Sequence, residues 1–303
     1  MRPATTQLPL AVALVAISTL TACDGGTASD GDDCRIAVSP SPGSAGAGAP
    51  DATGGVRIIS TTGFEPAPEH CTGRERTAEF EVANGKHEPY TYTVAFSVTS
   101  VSSDVVRSTD QVTVEAVPAG RSVRRTFTAP PLPPEGRGAA RVEIAEVRSV
   151  PSDEVGAPPG ACPPSGVRVT ADQGDAAMGL RVVGITLTNC GTRPYALDGH
   201  PGLTPLDEDH RPLHEVQVLP GGGDIAEVAG FDAPPRPVTL APGQSATTGL
   251  MWRNTHTGTG GATAAPYVRL LPKPGGRPVT LVPELDLGTT GKLGVSAWKK
   301  KSG

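Results

Sequence analysis

Residues 90–98 read Tyr-Thr-Tyr-Thr-Val-Ala-Phe-Ser-Val, which is the clearest strand signal in this chain of 303 residues. Every second side chain is large and apolar: Tyr92, Val94, Phe96 and Val98. This alternation predicts a β-strand with one face in a hydrophobic core. Shorter apolar runs occur on both sides, at 56–59, 79–82, 112–114, 123–127 and 142–144. Turn-forming residues separate these runs and no helical period accompanies them, so the pattern predicts a small β-sandwich over residues 56–150.

A second series of strand patterns occupies residues 162–298. Residues 180–189 are its strongest strand, with alternate apolar side chains expected to face inward: Val183, Ile185 and Leu187. Further strands are predicted at 167–169, 213–219, 237–240, 245–252, 267–271, 279–282 and 293–298. We therefore predict an all-β chain of two antiparallel β-sandwich domains. The Pro- and Gly-containing residues 151–161 would link them, and residues 299–303 would form a solvated basic tail.

The N-terminal segment predicts export and lipid anchoring. Residues 1–22 combine a basic start, an uncharged apolar run and small residues before a cysteine, which are the parts of an export signal. The tetrapeptide Leu-Thr-Ala-Cys at 20–23 resembles the bacterial lipobox, in which the cysteine receives a lipid. We expect acyl chains on Cys23 to hold the protein on the outer face of the cell membrane. The Gly-, Ser- and Pro-rich residues 23–55 would form a flexible tether.

The cysteine count agrees with an exported protein. The chain has five cysteines: Cys23, Cys34, Cys71, Cys162 and Cys190. If Cys23 carries lipid, the other four allow two disulfides in an oxidising environment, in any of three pairings. Sequence order favours Cys34–Cys71 and Cys162–Cys190, one in each domain. Unpaired structural thiols are the alternative.

The positions of Cys162 and Cys190 suggest a geometry for their pairing. The two cysteines are symmetric about position 176, and residues 173–179 are turn-like. An antiparallel hairpin folded at that position would place them opposite each other at its open end.

Several motifs in the second domain resemble a known family. They occur in order as Leu-Thr-Asn-Cys-Gly at 187–191, Leu-Asp-Gly-His-Pro-Gly at 197–202, Val-Thr-Leu-Ala-Pro-Gly-Gln-Ser-Ala at 238–246, Leu-Met-Trp at 250–252 and Gly-Lys-Leu-Gly-Val-Ser at 291–296. Residues 162–298 are thereby similar to DUF4232, an actinobacterial family of secreted and lipid-anchored domains of unknown function. The resemblance implies an immunoglobulin-like β-sandwich at the cell surface, and it implies no activity. His200 stands where this family usually has tyrosine.

Composition and motifs argue against several classes of function. The net charge of −5 and the lack of a basic patch argue against nucleic-acid binding. A Gly-x-Ser-x-Gly elbow, which is the nucleophile signature of α/β-hydrolases, is absent from the sequence. Trp252 and Trp298 are expected in the core rather than as platforms for sugars. Asn189, at a strand end, is expected to bond backbone groups of a turn.

The acidic and histidine residues do not form a recognisable metal site. His210 and His214 have the spacing of helical ligands, but Pro212 between them predicts a turn entering a strand. On a strand the two side chains would lie ~13 Å apart, too far for one metal. Residues 207–209 lack the ligand series of a calcium loop and are expected to form a solvated hairpin tip. The glycines at 221–223 are not followed by a Lys or by a predicted helix, so they are expected to form a loop rather than a phosphate-binding site. We therefore assign no catalytic residue, metal or cofactor.

These observations lead to three hypotheses about function. The first is a non-enzymatic surface lipoprotein that presents β-sandwich domains to an envelope protein or a wall polymer. The second is an envelope hydrolase or transferase whose residues converge only in the fold near 198–210, with Asp198, His200 and Asp207 as candidates. The third is capture of a small ligand between the domains, which requires a linker that holds them at a fixed angle.

Overall fold

A computed structural model gives the structure of the protein and describes residues 53–65, 75–131, 138–158, 160–256 and 261–301. Within these ranges all regular elements are β-strands, which confirms the all-β prediction. No helix in the described part of the chain is long and apolar enough to cross a membrane. The predicted signal segment, the lipid-bearing Cys23 and the Cys34–Cys71 pair lie outside the described residues. The described residues all belong to one compact unit, Pro42–Gly303.

The strands form two groups, each around its own hydrophobic core. The first module, residues 53–151, contains β1 (Val56–Thr62), β2 (Thr77–Ala83), β3 (Tyr90–Ser100), β4 (Val106–Val117), β5 (Ser122–Thr128) and β6 (Ala140–Pro151). The second module, residues 162–301, contains β7 (Val167–Ala171), β8 (Asp175–Ala177), β9 (Leu180–Asn189), β10 (Tyr195–Leu197), β11 (Gly202–Leu206), β12 (Gln217–Pro220), β13 (Val238–Leu240), β14 (Ser245–Arg253), β15 (Thr263–Ala265), β16 (Tyr267–Leu271), β17 (Val279–Leu281), β18 (Leu285–Gly288), β19 (Lys292–Val295) and β20 (Lys299–Lys300).

The first module consists of two three-stranded antiparallel sheets that pack face to face. Their strand orders are β1-β2-β5 and β4-β3-β6. Phe96 of β3 stacks on Phe127 of β5, with 4.4 Å between ring centroids, and meets Phe80 of β2 edge-on at 5.0 Å. All three rings are almost fully buried, as are the alternate apolar residues of β3 that the sequence predicts to face inward. Aromatic contacts across the two sheets therefore form the centre of this core.

The second module is organised around one larger sheet of order β12-β19-β14-β9-β7, with β8 and β20 attached at its margins. Its inner face carries Val183, Ile185 and Leu187 of β9, which are buried as predicted. Trp252 and Trp298 are also buried, at 3% and 2% exposed, as expected of core residues. Three smaller sheets, β11-β16-β17, β10-β13 and β15-β18, supply the other core residues. Their pairings are antiparallel, and in the larger sheet β12 and β19 are parallel.

Several predicted boundaries were wrong. Of the predicted strand 213–219, only residues 217–219 are in a strand, β12, which continues to Pro220. The last predicted strand ends at Val295, because Trp298 instead donates its backbone N–H to Gly199 O and its ring N–H to Pro272 O. The basic residues after it are not a free tail, since Lys299 and Lys300 pair with β14. Short strands without clear alternation, such as β10 and β15, were not predicted.

Cys162 and Cys190 form a disulfide with their Cα atoms 5.6 Å apart. The predicted hairpin register behind this pairing was wrong. Val167 pairs with Asn189, and the turn falls at Met178 and Gly179 rather than at position 176. Both turn residues have positive φ, 47° and 79°, which permits a tight reversal. As a result Cys190 donates its N–H to Gly166 O, and Cys162 reaches it from the loop that precedes β7.

Both modules contain the same buried asparagine at the end of a central strand. Asn189 is the last residue of β9 and is 2% exposed. Its Nδ2 donates to Arg193 O and Leu240 O, each at 2.8 Å, and its Oδ1 accepts the Gly191 N–H. The side chain thus bonds the turn after β9 to the end of β13. This confirms the prediction that Asn189 bonds backbone groups of a turn.

Asn84 makes the matching set of bonds in the first module. Its Nδ2 donates to Glu88 O and Val117 O, each at 2.8 Å, and its Oδ1 accepts the Lys86 N–H. A Pro-Tyr pair stands five residues after each asparagine, at 89–90 and at 194–195. The recurrence of one side-chain arrangement in both modules was not predicted from the sequence.

Candidate functional site

The two modules meet along a junction built from polar and aromatic side chains. The junction comprises the end of β6, the connecting residues 152–158, the turn 207–211 and residues 280–284. The connecting residues begin one position later than predicted, because β6 continues to Pro151. Val155 pairs as an isolated bridge with Thr280 of β17, so the connection is bonded to the second module rather than free.

Arg148 of β6 carries the main ionic contact across the junction. Its guanidinium bonds Glu284 twice, through Nε to Oε1 and through Nη2 to Oε2 at 2.8 Å. It also pairs with Glu208 at 3.2 Å and with Glu146 of its own strand at 2.5 Å. The hydrogen bond to Glu284, together with the three negative charges, raises the pKa of Arg148 above its usual range despite partial burial. One cation therefore balances three carboxylates contributed by both modules.

We expect Arg148→Gln to loosen the junction. Without the guanidinium, Glu146 would face Glu208 and Glu284 as unbalanced like charges. Because these carboxylates are partly solvated, the expected loss is about 1 kcal/mol and should shrink as salt is added. Amide exchange in residues 207–211 and 283–285 should accelerate, while exchange in β9 should not change.

Arg141→Gln is the matched control for this experiment. Arg141 also binds two carboxylates, Asp104 at 2.6 Å and Glu143 at 3.0 Å, and both belong to the first module. Its loss should leave exchange in the turn 207–211 unchanged. Equal effects of the two variants on that turn would contradict an ionic contact across the junction.

Glu154 fixes the connecting residues against the second module. It is 8% exposed and binds Arg269 Nε at 2.9 Å and the Thr280 hydroxyl at 2.5 Å through the same oxygen, Oε2. Its backbone carbonyl accepts the Thr280 N–H at 2.9 Å. A buried carboxylate held by a cation and a hydroxyl is costly to displace, so this residue anchors the connection.

His210 lies between two tyrosines, one from each module. Its ring stacks on Tyr267 with 4.2 Å between centroids, and Tyr90 of the first module approaches it edge-on at 5.4 Å. The Tyr267 hydroxyl accepts the Ser149 N–H of β6 at 3.0 Å. Burial lowers the pKa of His210 below its usual range. The three rings form a small aromatic contact across the junction.

Backbone strain is concentrated at the same junction. Five described residues other than glycine have positive φ: Asp104, Ala116, Met178, His210 and Glu284. Of these, His210 and Glu284 make the contacts described above, and Ala116 lines the cavity beside them. Each such conformation costs about 1–2 kcal/mol for a residue with a Cβ. Strain of this kind clusters at functional sites, which makes the junction the best candidate site in the described chain.

A cavity of about 530 Å³ opens beside the junction. The first module contributes hydroxyl groups to its wall: Thr91, Thr93 and Thr113. The opposite side includes Val155 and Val282, which are 39% and 40% exposed. The cavity wall therefore combines hydroxyl groups with exposed apolar side chains, and its volume suits a small ligand or a short segment of a larger one.

The second module matches a family model over residues 162–299, described as a domain of unknown function, DUF4232. Residues 162–299 form a DUF4232 domain. Among curated proteins, no sequence matches the chain. One of the solved structures that match is the transglutaminase of red sea bream, at 14% identity and a TM-score of 0.19. The match covers 80% of this chain and 30% of the transglutaminase chain, so the chain spans less than a third of that protein.

Among the predicted catalytic candidates, Asp207 bonds within its own turn of the DUF4232 domain. The carboxylate of Asp207 accepts the backbone N–H groups of Asp209 and Arg211 and thereby closes its own turn. No described hydrogen bond joins it to Asp198 or His200, and none of the described cavities is lined by these three residues.

The residues considered as metal ligands also separate in the DUF4232 domain. His210 lies in the turn between the tyrosines, whereas His214 is exposed. Glu208 lies in an exposed turn closed by the antiparallel bridge between Leu206 and Pro212, as predicted for a solvated hairpin tip, and it also pairs with Arg148 of the first module. Within the described ranges, no group of three His, Cys, Asp or Glu side chains is placed to hold a metal ion.

A second cavity of about 470 Å³ lies at one edge of the DUF4232 domain. Asp286 lines it and binds the ring N–H of Trp252 at 2.7 Å and Asn254 Nδ2 at 2.9 Å. Burial would raise the pKa of Asp286, but these hydrogen bonds outweigh burial and lower it. The Asp286 carboxylate therefore holds the ring of Trp252 in place.

Proposed function

We propose that the chain is a non-enzymatic surface lipoprotein. A lipid on Cys23 would hold it on the outer face of the cell membrane, behind the tether 23–55. It would present two immunoglobulin-like β-sandwich modules to an envelope protein or a wall polymer. The matching asparagine arrangements at Asn84 and Asn189 support an immunoglobulin-like fold for both modules.

The junction is the observation that carries this proposal. Two modules connected only by a flexible linker would each need their own binding surface. Here Arg148, Glu154 and His210 fasten the modules to each other, and strained backbone is retained where they do so. A fixed angle creates one continuous surface from both modules, and such preorganisation lowers the entropy lost on binding.

A second candidate function is capture of a small ligand in the cavity beside the junction. The observation that favours it is the lining of that cavity by threonine hydroxyls on one side and two exposed valines on the other. Glu115 at the same wall is exposed and supplies a negative charge. The matching ligand would be small and amphipathic, with a hydroxyl-bonding part and an amine or other cation.

An envelope hydrolase or transferase remains a less favoured hypothesis. It requires at least two reactive side chains to converge in a concave site. No described hydrogen bond joins Asp198, His200 and Asp207 to one another, and Asp207 bonds the backbone of its own turn.

The test is retention of an envelope component by the immobilised, oxidised chain from residue 24 to residue 303. Solubilised envelope proteins and purified wall polymer are applied separately, and any retained component is purified and titrated back by calorimetry. We expect saturable binding of one component with defined stoichiometry. Binding of no component, or turnover of an envelope substrate by the chain, would contradict the proposal.

Variants on β4 separate the two candidate functions. Thr113→Arg would fill the cavity, whereas Thr109→Arg adds the same charge on the same exposed strand outside the cavity lining. Loss of binding only in Thr113→Arg would favour capture in the cavity. Retention in both variants would favour a surface elsewhere on the modules.

A further inference from the structure

The two ring nitrogens of His210 are buried at the junction without a hydrogen-bond partner. Neither Nδ1 nor Nε2 forms a hydrogen bond, although both atoms are shielded from solvent. The ring is held instead by its contacts with Tyr90 and Tyr267. Its backbone has φ of 64°, so the turn 207–211 is strained to place the ring there. A buried imidazole with two unpaired nitrogens is tolerated best in its neutral form.

The groups that face the ring offer the imidazolium little compensation. The first module contributes Lys86 and Tyr90, and the DUF4232 domain contributes Arg269 and Tyr267. Glu154 is the carboxylate that favours protonation, but it already binds Arg269 and Thr280. The Ser149 backbone also favours the charged form, although it does not reach hydrogen-bond geometry with either nitrogen.

We propose that His210 makes the junction sensitive to acid. The protonated ring leaves the space between Tyr90 and Tyr267 and enters water, and the first module separates from the DUF4232 domain around residues 152–158. This inference rests on the proposed function in one respect, since opening the junction would change the surface and the cavity that the two modules form together.

The direction of the effect follows from the two states of the ring. Burial lowers the pKa of His210 in the closed junction. In the open junction the ring is solvated and regains a pKa of about 6.5. The open state therefore binds the proton more tightly, so acid favours opening once the pH falls below about 6.5. The ratio of open to closed molecules can rise by up to about tenfold per pH unit until the closed state also protonates.

The Ser149 N–H is a direct reporter of the closed junction, because its acceptor is the Tyr267 hydroxyl across the contact. Amide exchange of the peptide that contains Ser149 would be followed in the full chain, kept in mild detergent, between pH 7.5 and pH 5.0. Rates are corrected for the intrinsic pH dependence of exchange. We expect the corrected rate to rise as the pH falls through about 6.5.

Two substitutions at position 210 supply the comparison. His210→Phe keeps an aromatic ring without a titrating group, and His210→Asn tolerates the positive φ at this position. In both variants the corrected rate should not depend on pH, whereas His200→Asn should behave like the original chain. The proposal is overturned if the original chain and both position-210 variants share one pH dependence. It is also overturned if the buried residues 183–187 of β9 lose protection in parallel, because acid would then unfold the whole DUF4232 domain.

This experiment is independent of any binding partner. A pH-independent junction would refute the acid response and leave the binding proposal standing, whereas an envelope component that never binds would refute the binding proposal alone.

Discussion

Asn189→Ala is expected to destabilise the DUF4232 domain by about 3 kcal/mol. The substitution removes two donated hydrogen bonds, to Leu240 O and Arg193 O, at a residue that is 2% exposed. Each buried carbonyl left without a partner costs about 1–3 kcal/mol. Gly191 keeps one bond for its N–H, to Gly166 O, so the third interaction contributes less.

Tryptophan fluorescence measures this loss selectively. The chain has two tryptophans, and both belong to the DUF4232 domain, as Trp252 and Trp298. Their thermal transition should fall by about 10 °C in Asn189→Ala. The matched control is Asn254→Ala, whose amide binds Asp286 at an exposed position and should shift the transition by much less. Equal shifts for the two variants would contradict the role assigned to Asn189.

The second large effect is expected from removal of the disulfide. Replacing both Cys162 and Cys190 by serine opens a loop with a sequence separation of 28. On the chain-entropy model, a loop of this length contributes about 3–4 kcal/mol by restricting the unfolded chain. The double substitution avoids a free thiol, which could pair wrongly in an oxidising environment.

Urea titration followed by tryptophan fluorescence tests this expectation. The urea concentration at the midpoint of unfolding should be much lower in the double variant than in the original chain. A reducing agent should not change this midpoint in the double variant. Reduction of the original chain should lower its midpoint of unfolding to the value of the double variant. A double variant as stable as the oxidised original would contradict a stabilising role for this disulfide.

The sequence predicted those parts of the fold that depend on local alternation. Phe96 and Ile185 lie in long alternating runs, and both are fully buried in the predicted direction. The hairpin register was not predictable in this way, because the turn is decided by the left-handed conformations of Met178 and Gly179. The symmetric spacing of the two cysteines predicted the correct disulfide partner from an incorrect register, because the loop before β7 brings Cys162 to Cys190.

The junction was beyond sequence reasoning for a different reason. Arg148 and Glu284 are 136 residues apart, and no local pattern indicates that they meet. His210 was considered as a metal ligand on the basis of its spacing from His214, whereas its surroundings come from tyrosines on other strands. Contacts of this kind depend on how the sheets are placed and not on the neighbouring sequence.

One signal in the sequence could have revealed the repeated asparagine arrangement. Gly-Val-Arg opens both modules, at 55–57 and 166–168, and Pro-Tyr follows each asparagine at the same distance. Val-Pro-Ala-Gly-Arg-Ser at 117–122 also corresponds to Leu-Ala-Pro-Gly-Gln-Ser at 240–245. Gly120 and Gly243 in these segments each donate their N–H to the asparagine carbonyl. Aligning the two halves before assigning strands would have found this correspondence.

The most direct test of the account is whether the two modules move as one body. ¹⁵N relaxation would be measured on residues 24–303 at neutral pH and low salt, with separate rotational correlation times fitted for residues of β2–β5 and for residues of β9 and β14. A fixed junction predicts one shared correlation time, that of the whole two-module unit. Two independent, shorter times in the original chain would contradict a fixed junction and remove the main support for a combined binding surface.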